Sequence, residues 1–167
     1  TLIARGLFVD DEEEPAGLRA LLDILERQDR RPEAMALAER AFAAGYDSQA
    51  MAMAALALRP SDPAELAEPE RPVLVYAAEL GCQPPYENRS QQRRCWEARA
   101  YLAEAEGDLE QAQGLLRRVE RQYGDPRPLA AFFARQRLCQ DLAGLQRAYR
   151  GENHESTLKR RAQECAR

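Results

Sequence analysis

The sequence has little of what most catalytic and metal sites are built from. It contains one histidine, His154, and neither a Cys-x-x-Cys pair nor a glycine-rich phosphate loop. A Ser–His–Asp or Cys–His site would have to use His154, which lies in a polar stretch, residues 151–156, with no apolar surroundings to form a pocket. We therefore predict a non-enzymatic protein with no catalytic residue, no metal site and no cofactor.

Long apolar runs and an excess of positive charge are also missing. The longest apolar run, from Ala50 to Leu58, is far shorter than the roughly 20 residues of a membrane-spanning helix. The formal net charge is −4, whereas nucleic-acid-binding domains are usually strongly basic. We predict neither nucleic-acid binding nor membrane insertion of this segment. Residues 113–167 are nevertheless basic and residues 1–112 acidic, which indicates either solvated helix faces or two ends that meet different partners.

Strand-forming residues are scarce, whereas alanine and leucine are abundant. This composition predicts an all-α protein, and 167 residues suit one globular helical-repeat domain over 1–167. Leucines at 18, 21, 22 and 25 recur at helical spacing, and Gly45, Gly81 and Gly124 are typical of helix ends. We predict four helix pairs, at about 15–46, 47–82, 90–125 and 127–151, and a polar capping helix at 153–166.

Particular residues predict where these helices begin and turn. Asp47 or Ser48 is a suitable N-cap for the second pair, and Gly107-Asp108 a turn within the third. In the fourth pair we place the turn near Gln140-Asp141, so that Cys139 ends its first helix. The dipeptides at 108–109 and 141–142 are 33 residues apart, and the Ala-x-x-x-Gly ends at 41–45 and 77–81 are 36 apart, which indicates stacked repeats.

The third pair resembles a tetratricopeptide repeat (TPR). It has Trp96 at the bulky first position, small Ala100, Gly107 before the turn and Ala112 in the second helix. The family often has tyrosine after the turn, where this chain has Leu109. The ending at 77–81 is similar to the related Sel1-like repeat. The resemblance implies a right-handed superhelix of about four antiparallel helix pairs, whose first helices line a concave groove.

The resemblance also implies which side chains face that groove. Tyr101 is the predicted aromatic anchor for a protein or peptide partner; its alternative role is packing between neighbouring units, while Trp96 is predicted to lie in the core. The predicted groove residues are Arg94, Glu97, Tyr101 and Glu104 in the third pair, Arg19, Asp23, Glu26 and Arg27 in the first, and Arg127 and Arg137 in the fourth.

The four cysteines are the remaining signal. In a stacked array Cys82 lies near Cys95, and Cys139 near Cys165 on a roughly parallel neighbouring helix, so two disulfides are expected. Such bonds indicate an oxidising compartment such as a bacterial periplasm. The alternative is four reduced thiols in a cytosolic protein.

These features favour a protein–protein interaction scaffold in a bacterial cell-envelope assembly for secretion, pilus formation or exopolysaccharide export. An alternative is a cytoplasmic TPR domain of a membrane-tethered or regulatory protein. A third, of another class, is an accessory domain of a polysaccharide-processing enzyme. A cleft lined by acidic and aromatic side chains would favour sugar binding, as in the third alternative. A charged groove would favour binding of a peptide.

Overall fold

The computed structural model describes residues 16–165, apart from the side chain of Ala16; the acidic run at 10–14, Pro15 and the last residue of the predicted cap lie outside this range. Within it the regular structure is helical and no strand occurs, so the all-α prediction is confirmed. The elements, in chain order, are α1 (Ala16–Arg27), α2 (Arg31–Ala43), α3 (Gln49–Ala57), a short 3-10 helix (Pro63–Glu65), α4 (Arg71–Gly81), α5 (Arg89–Glu106), α6 (Leu109–Tyr123), α7 (Arg127–Arg135), α8 (Cys139–Ala148) and α9 (Glu155–Cys165).

The chain divides into two compact units, and the division falls inside α5. Unit 1 is Thr1–Ala98 and contains α1 to α4 and the first part of α5. Unit 2 is Arg99–Arg167 and contains the rest of α5 and α6 to α9. The single domain over 1–167 stays a prediction.

Local side-chain chemistry explains several helix ends. The Met51 backbone N–H donates to the Ser48 hydroxyl oxygen (3.1 Å) at the start of α3. The Gln111 N–H donates to the Asp108 carboxylate (3.0 Å) at the start of α6. Both bonds satisfy amides that a helix N-terminus leaves without partners. Gly124 ends α6 with φ +65°, a conformation that favours glycine.

The turn of the fourth helix pair lies earlier than predicted. α7 ends at Arg135, Arg137 adopts φ +53°, and Cys139 begins α8 instead of ending α7. Glycine or asparagine at this position would have indicated a left-handed turn, whereas arginine does not. Leu138, the N-cap of α8, also lacks the polar side chain that usually marks a helix start.

The two glycines of the repeated Ala-x-x-x-Gly spacing have different roles. Gly45 follows α2 with φ +85°, where a side chain would be strained. Gly81 is the last residue of α4, and a Cβ there would lie 2.9 Å from the Ala52 Cβ. Its missing side chain lets α4 approach α3 closely. The spacing of 36 residues therefore does not mark equivalent structural positions.

Each unit buries its own apolar residues. Unit 1 buries Leu18, Leu22 and Leu25 of α1, together with alanines of α2 and α3. The core of unit 2 centres on Phe132 and Phe133, and Leu158 of α9 is fully buried in it. Trp96, predicted as a core residue, is only partly buried.

Both expected cysteine pairs are joined in the structure. The Cα atoms of Cys82 and Cys95 are 5.2 Å apart, and those of Cys139 and Cys165 are 5.6 Å apart. The second bond joins the beginning of α8 to the end of α9. Since α8 and α9 pack against each other, they run antiparallel. The parallel neighbours expected from the sequence are the first helix of the fourth pair and the cap; the corresponding α7 and α9 also pack against each other, but Cys139 belongs to α8 and not to α7.

Candidate binding site

A cavity of about 770 Å³ in unit 1, here called the unit 1 cavity, brings together helices that are far apart in the sequence. Its lining comes from α1, from α3 and from the start of α5 with the two residues before it. The lining residues are Arg19, Ala20, Asp23, Gln49, Ala50, Met53, Ala54, Ala57, Glu87, Asn88, Ser90, Gln91 and Arg94. Three predicted groove residues, Arg19, Asp23 and Arg94, are among them.

The floor of the cavity is one face of α3. Ala50, Met53, Ala54 and Ala57 recur at three- and four-residue spacing, which places them on the same side of the helix. Ala50 and Ala57 are exposed, while Met53 and Ala54 are partly buried. Short side chains here leave room for groups of another molecule, and methionine adapts its shape readily.

The walls of the cavity are charged. Arg19 and Asp23 lie one turn apart on α1, and both are exposed. Arg94 on α5 is also exposed. Arg19 takes part in an interaction within the chain. Within residues 16–165, Asp23 and Arg94 make no ion pair, so both charges remain available to a partner.

Other predicted residues of unit 1 lie outside the cavity. Glu26 and Arg27 are exposed on α1 but do not line it. Glu97 accepts a hydrogen bond from Arg93 Nε at 2.8 Å, one turn away on α5.

In unit 2 the structure places two predicted groove residues in the interior. Glu104 is 8% exposed, and its carboxylate accepts two hydrogen bonds from Arg135 (2.9 and 2.6 Å) and one from Gln136 (2.9 Å). Tyr101 is 7% exposed, so it belongs to packing and not to an open groove. The groove role predicted for these two residues is therefore wrong.

The two predicted arginines of the fourth pair have different surroundings. Arg127 donates from its side chain to the buried Asp125 carboxylate at 2.8 and 2.7 Å. Arg137 lies beyond the end of α7, in the turn before α8.

Two lining residues that the sequence analysis missed are glutamines near helix starts. Gln49 opens α3 directly after its Ser48 cap, and the Gln91 N–H donates to the Asn88 side chain at 2.9 Å. A Ser or Asn cap therefore signals which residues lie in a first helical turn. It does not signal that two such turns face one cavity.

Unit 2 has a smaller cavity of about 520 Å³. Arg117 lies over the Phe133 ring at 5.7 Å, and the Tyr149 hydroxyl donates to Glu120 at 2.7 Å. Burial, and then this bond to a carboxylate, raise the pKa of Tyr149 well above its usual value. These polar groups are thus engaged within the unit itself.

Other classes of site are not evident in the part of the chain that the structure describes. Residues 16–165 contain no cluster of three or more side chains suited to a metal ion. His154 is partly buried in the turn before α9. None of the helices in this range is long and apolar enough to cross a membrane. Comparison with known proteins gives no match to any family model, curated protein or solved structure.

Proposed function

We propose that this chain is a protein-interaction scaffold and that the unit 1 cavity receives a peptide segment of its partner. One observation carries the proposal: three charged residues selected from the sequence as groove residues line a single cavity. A volume of about 770 Å³ falls in the range of ligand pockets, about 300–1,000 Å³. A site of this size holds a few side chains of a peptide.

The chemistry of the lining favours a peptide over a sugar. The floor is alanine and methionine, the walls carry Asp23 and Arg94, and the described lining holds no aromatic ring. The small side chains of the floor leave space for apolar side chains of the peptide. The charges of Asp23 and Arg94 fix the register of the bound peptide and raise its association rate more than they add affinity.

The finer description of the fold is part of this proposal. Four consecutive helix pairs followed by α9 support a superhelix of the TPR or Sel1-like kind, with α1, α3 and α5 as the first helices of three pairs. In such an array the first helices line the concave surface, and this proposal is supported by the lining of the unit 1 cavity, which comes from α1, α3 and the α5 region.

The cellular setting we propose is a bacterial cell-envelope assembly, such as one for secretion, pilus formation or exopolysaccharide export. Two disulfides in one chain support it, because such bonds persist mainly in oxidising compartments. The alternative of a cytoplasmic domain with reduced thiols predicts four alkylated cysteines when native cells are treated before lysis, and this measurement decides between them.

The partner is identified by photo-crosslinking from the cavity floor. A photoreactive residue at Ala54 is compared with one at Glu39, which is exposed on α2 and does not line the cavity. We expect a protein that crosslinks from position 54 alone. Equal crosslinking from both positions contradicts a site in the cavity.

Binding to the purified partner then tests the wall charge. We expect Arg94→Glu to weaken the affinity at least about tenfold, because the substitution reverses an unpaired charge on the cavity wall. The control is Arg118→Glu, the same chemical change at an exposed position of α6. An affinity that changes equally in both variants, as measured by calorimetry, contradicts the proposal.

A further inference from the structure

The carbonyl of Gly81 lies at a junction beneath the unit 1 cavity. It accepts hydrogen bonds from Gln49 Nε2 at 3.5 Å and from Gln91 Nε2 at 3.4 Å, and both glutamines line the cavity. The Cys95 sulfur lies 3.6 Å from the same oxygen. The end of α4 thus contacts the first turn of α3 and the first two turns of α5 at one point.

The disulfide also supports the cavity floor. Cys95 Sγ is 4.0 Å from Met53 Sδ, and Met53 belongs to the floor. Cys82 and Cys95 are both fully buried. The bond therefore lies directly behind lining residues and out of contact with solvent.

The covalent bond is the strong connection between α4 and the α5 wall. Gln91 provides a further connection, through a long hydrogen bond between neutral groups, which contributes only about 1 kcal/mol. The remaining polar contacts of Gln91 are local. Its backbone N–H donates to the Asn88 side chain, and its side-chain oxygen Oε1 accepts from the Glu87 N–H at 2.6 Å. Local bonds of this kind shape the first turn of α5 but do not attach it to α4.

We propose that the unit 1 cavity is assembled by oxidation: the Cys82–Cys95 bond holds the first two turns of α5, which carry Arg94, against the α3 floor. In the dithiol chain this wall is loose and the partner site is incomplete. The inference rests on the proposed function only in taking the cavity as the partner site.

The redox step is an ordinary thiol–disulfide exchange with a disulfide-bearing thiol oxidase. One cysteine thiolate attacks a sulfur of the oxidase disulfide and forms a mixed disulfide. The second thiolate then attacks the chain's own sulfur in this mixed disulfide, which forms the Cys82–Cys95 bond and releases the second oxidase thiolate. The two thiols lose two protons and two electrons in total, and the oxidase leaves as a dithiol. Because both sulfurs are fully buried after folding, the bond is formed during maturation and reductants do not reach it afterwards.

Hydrogen exchange measures the wall directly and needs no partner. The test variant is Cys82→Ala/Cys95→Ala, since alanine leaves no buried hydroxyl without a partner. We expect amides at positions 89–95 to exchange at least about tenfold faster than in the wild type, as expected for a locally opened segment. Amides of α2 should change much less.

The second disulfide supplies the matched control. Cys139→Ala/Cys165→Ala removes a bond that closes a longer loop, with a sequence separation of 26 against 13. In chain-entropy terms its removal should destabilise the folded chain at least as much as removal of the Cys82–Cys95 bond. We expect no change at positions 89–95 in this variant. Equal acceleration in both variants, or equal acceleration of α2 and α5 in the test variant, overturns the inference, because either result is a general loss of stability.

A variant that fails to fold is also informative. If the alanine pair shows no helical circular dichroism, Cys82→Ala/Cys95→Val restores part of the lost volume. If this variant also fails, the bond maintains the whole unit and the local inference is wrong. The exchange result stands whether or not crosslinking finds a partner, so failure of the proposed function is separate from failure of this inference.

Discussion

The charged side chains that line the unit 1 cavity and those inside unit 2 have opposite surroundings. Unit 1 places Asp23 and Arg94 on the walls of an open cavity, where neither has an ion-pair partner within residues 16–165. Unit 2 places Glu104 in its interior, where Arg135 and Gln136 satisfy the carboxylate. Both sites use a carboxylate and an arginine, and the tertiary surroundings decide whether these groups are open to a partner or support the interior.

The two units also differ in the side chains that they pack. Unit 2 fills its core with Phe132 and Phe133, whereas α3 of unit 1 packs through two alanines, one methionine and one leucine and contacts α4 at Gly81. Small residues let helices approach closely but leave open space on the exposed face of α3. The unit 1 cavity, which has this face as its floor, is larger than the described cavity of unit 2.

The largest effect we expect comes from breaking the internal ion pair of unit 2. Glu104→Ala leaves Arg135 without its carboxylate, and we expect a loss of about 3 kcal/mol in the free energy of unfolding, measured with urea. Because Arg135 keeps some contact with water, the loss should lie at the lower end for buried pairs.

A double variant shows whether the charge or the packing matters. Glu104→Met/Arg135→Met removes both charges, and we expect it to recover most of the lost stability. A double variant as unstable as the single one contradicts an uncompensated charge as the cause. A loss below about 1 kcal/mol in the single variant would mean that the Glu104–Arg135 ion pair contributes no more than a solvent-exposed pair does.

The sequence predicted the helices better than the site, for a physical reason. Helix starts at Ser48 and Asp108 follow from side-chain caps, which are local. The turn at Arg137 has no such signal, because neither arginine nor the following leucine marks it.

The same distinction applies to the site. Helical spacing indicates that Arg94, Tyr101 and Glu104 belong to α5. It does not indicate which of them another helix covers. Burial of Glu104 depends on Arg135 and Gln136, which come from a distant part of the chain and are not visible in the local pattern.

The close helix contact of unit 1 provides the next effect. A Cβ at Gly81 would lie 2.9 Å from the Ala52 Cβ, so we expect Gly81→Ala to push α4 away from α3 and to destabilise unit 1 by about 2 kcal/mol in thermal or urea unfolding. Ala52→Gly in the same chain should recover part of this loss.

Gly144 is the matched control, since it lies inside α8 and a Cβ there would meet nothing within 4 Å. Gly144→Ala should stabilise by about 0.5–1 kcal/mol through helix propensity alone. The same sign of effect at both glycines would show that the contact between α3 and α4 is not as tight as the structure has it.

The smallest effect concerns the hydroxyl of Tyr149. Its bond to Glu120 should contribute about 1 kcal/mol at neutral pH, which Tyr149→Phe removes. Because burial and the nearby carboxylate raise the pKa of Tyr149 in the folded chain, this contribution is complete below the unfolded value of about 10 and declines as the pH rises above it. Wild-type stability should therefore fall more steeply above pH 10 than that of Tyr149→Phe. Parallel pH profiles for the two proteins, measured by urea unfolding, would mean that Glu120 and Tyr149 are not coupled, and the cavity of unit 2 would then carry an open charge as the unit 1 cavity does.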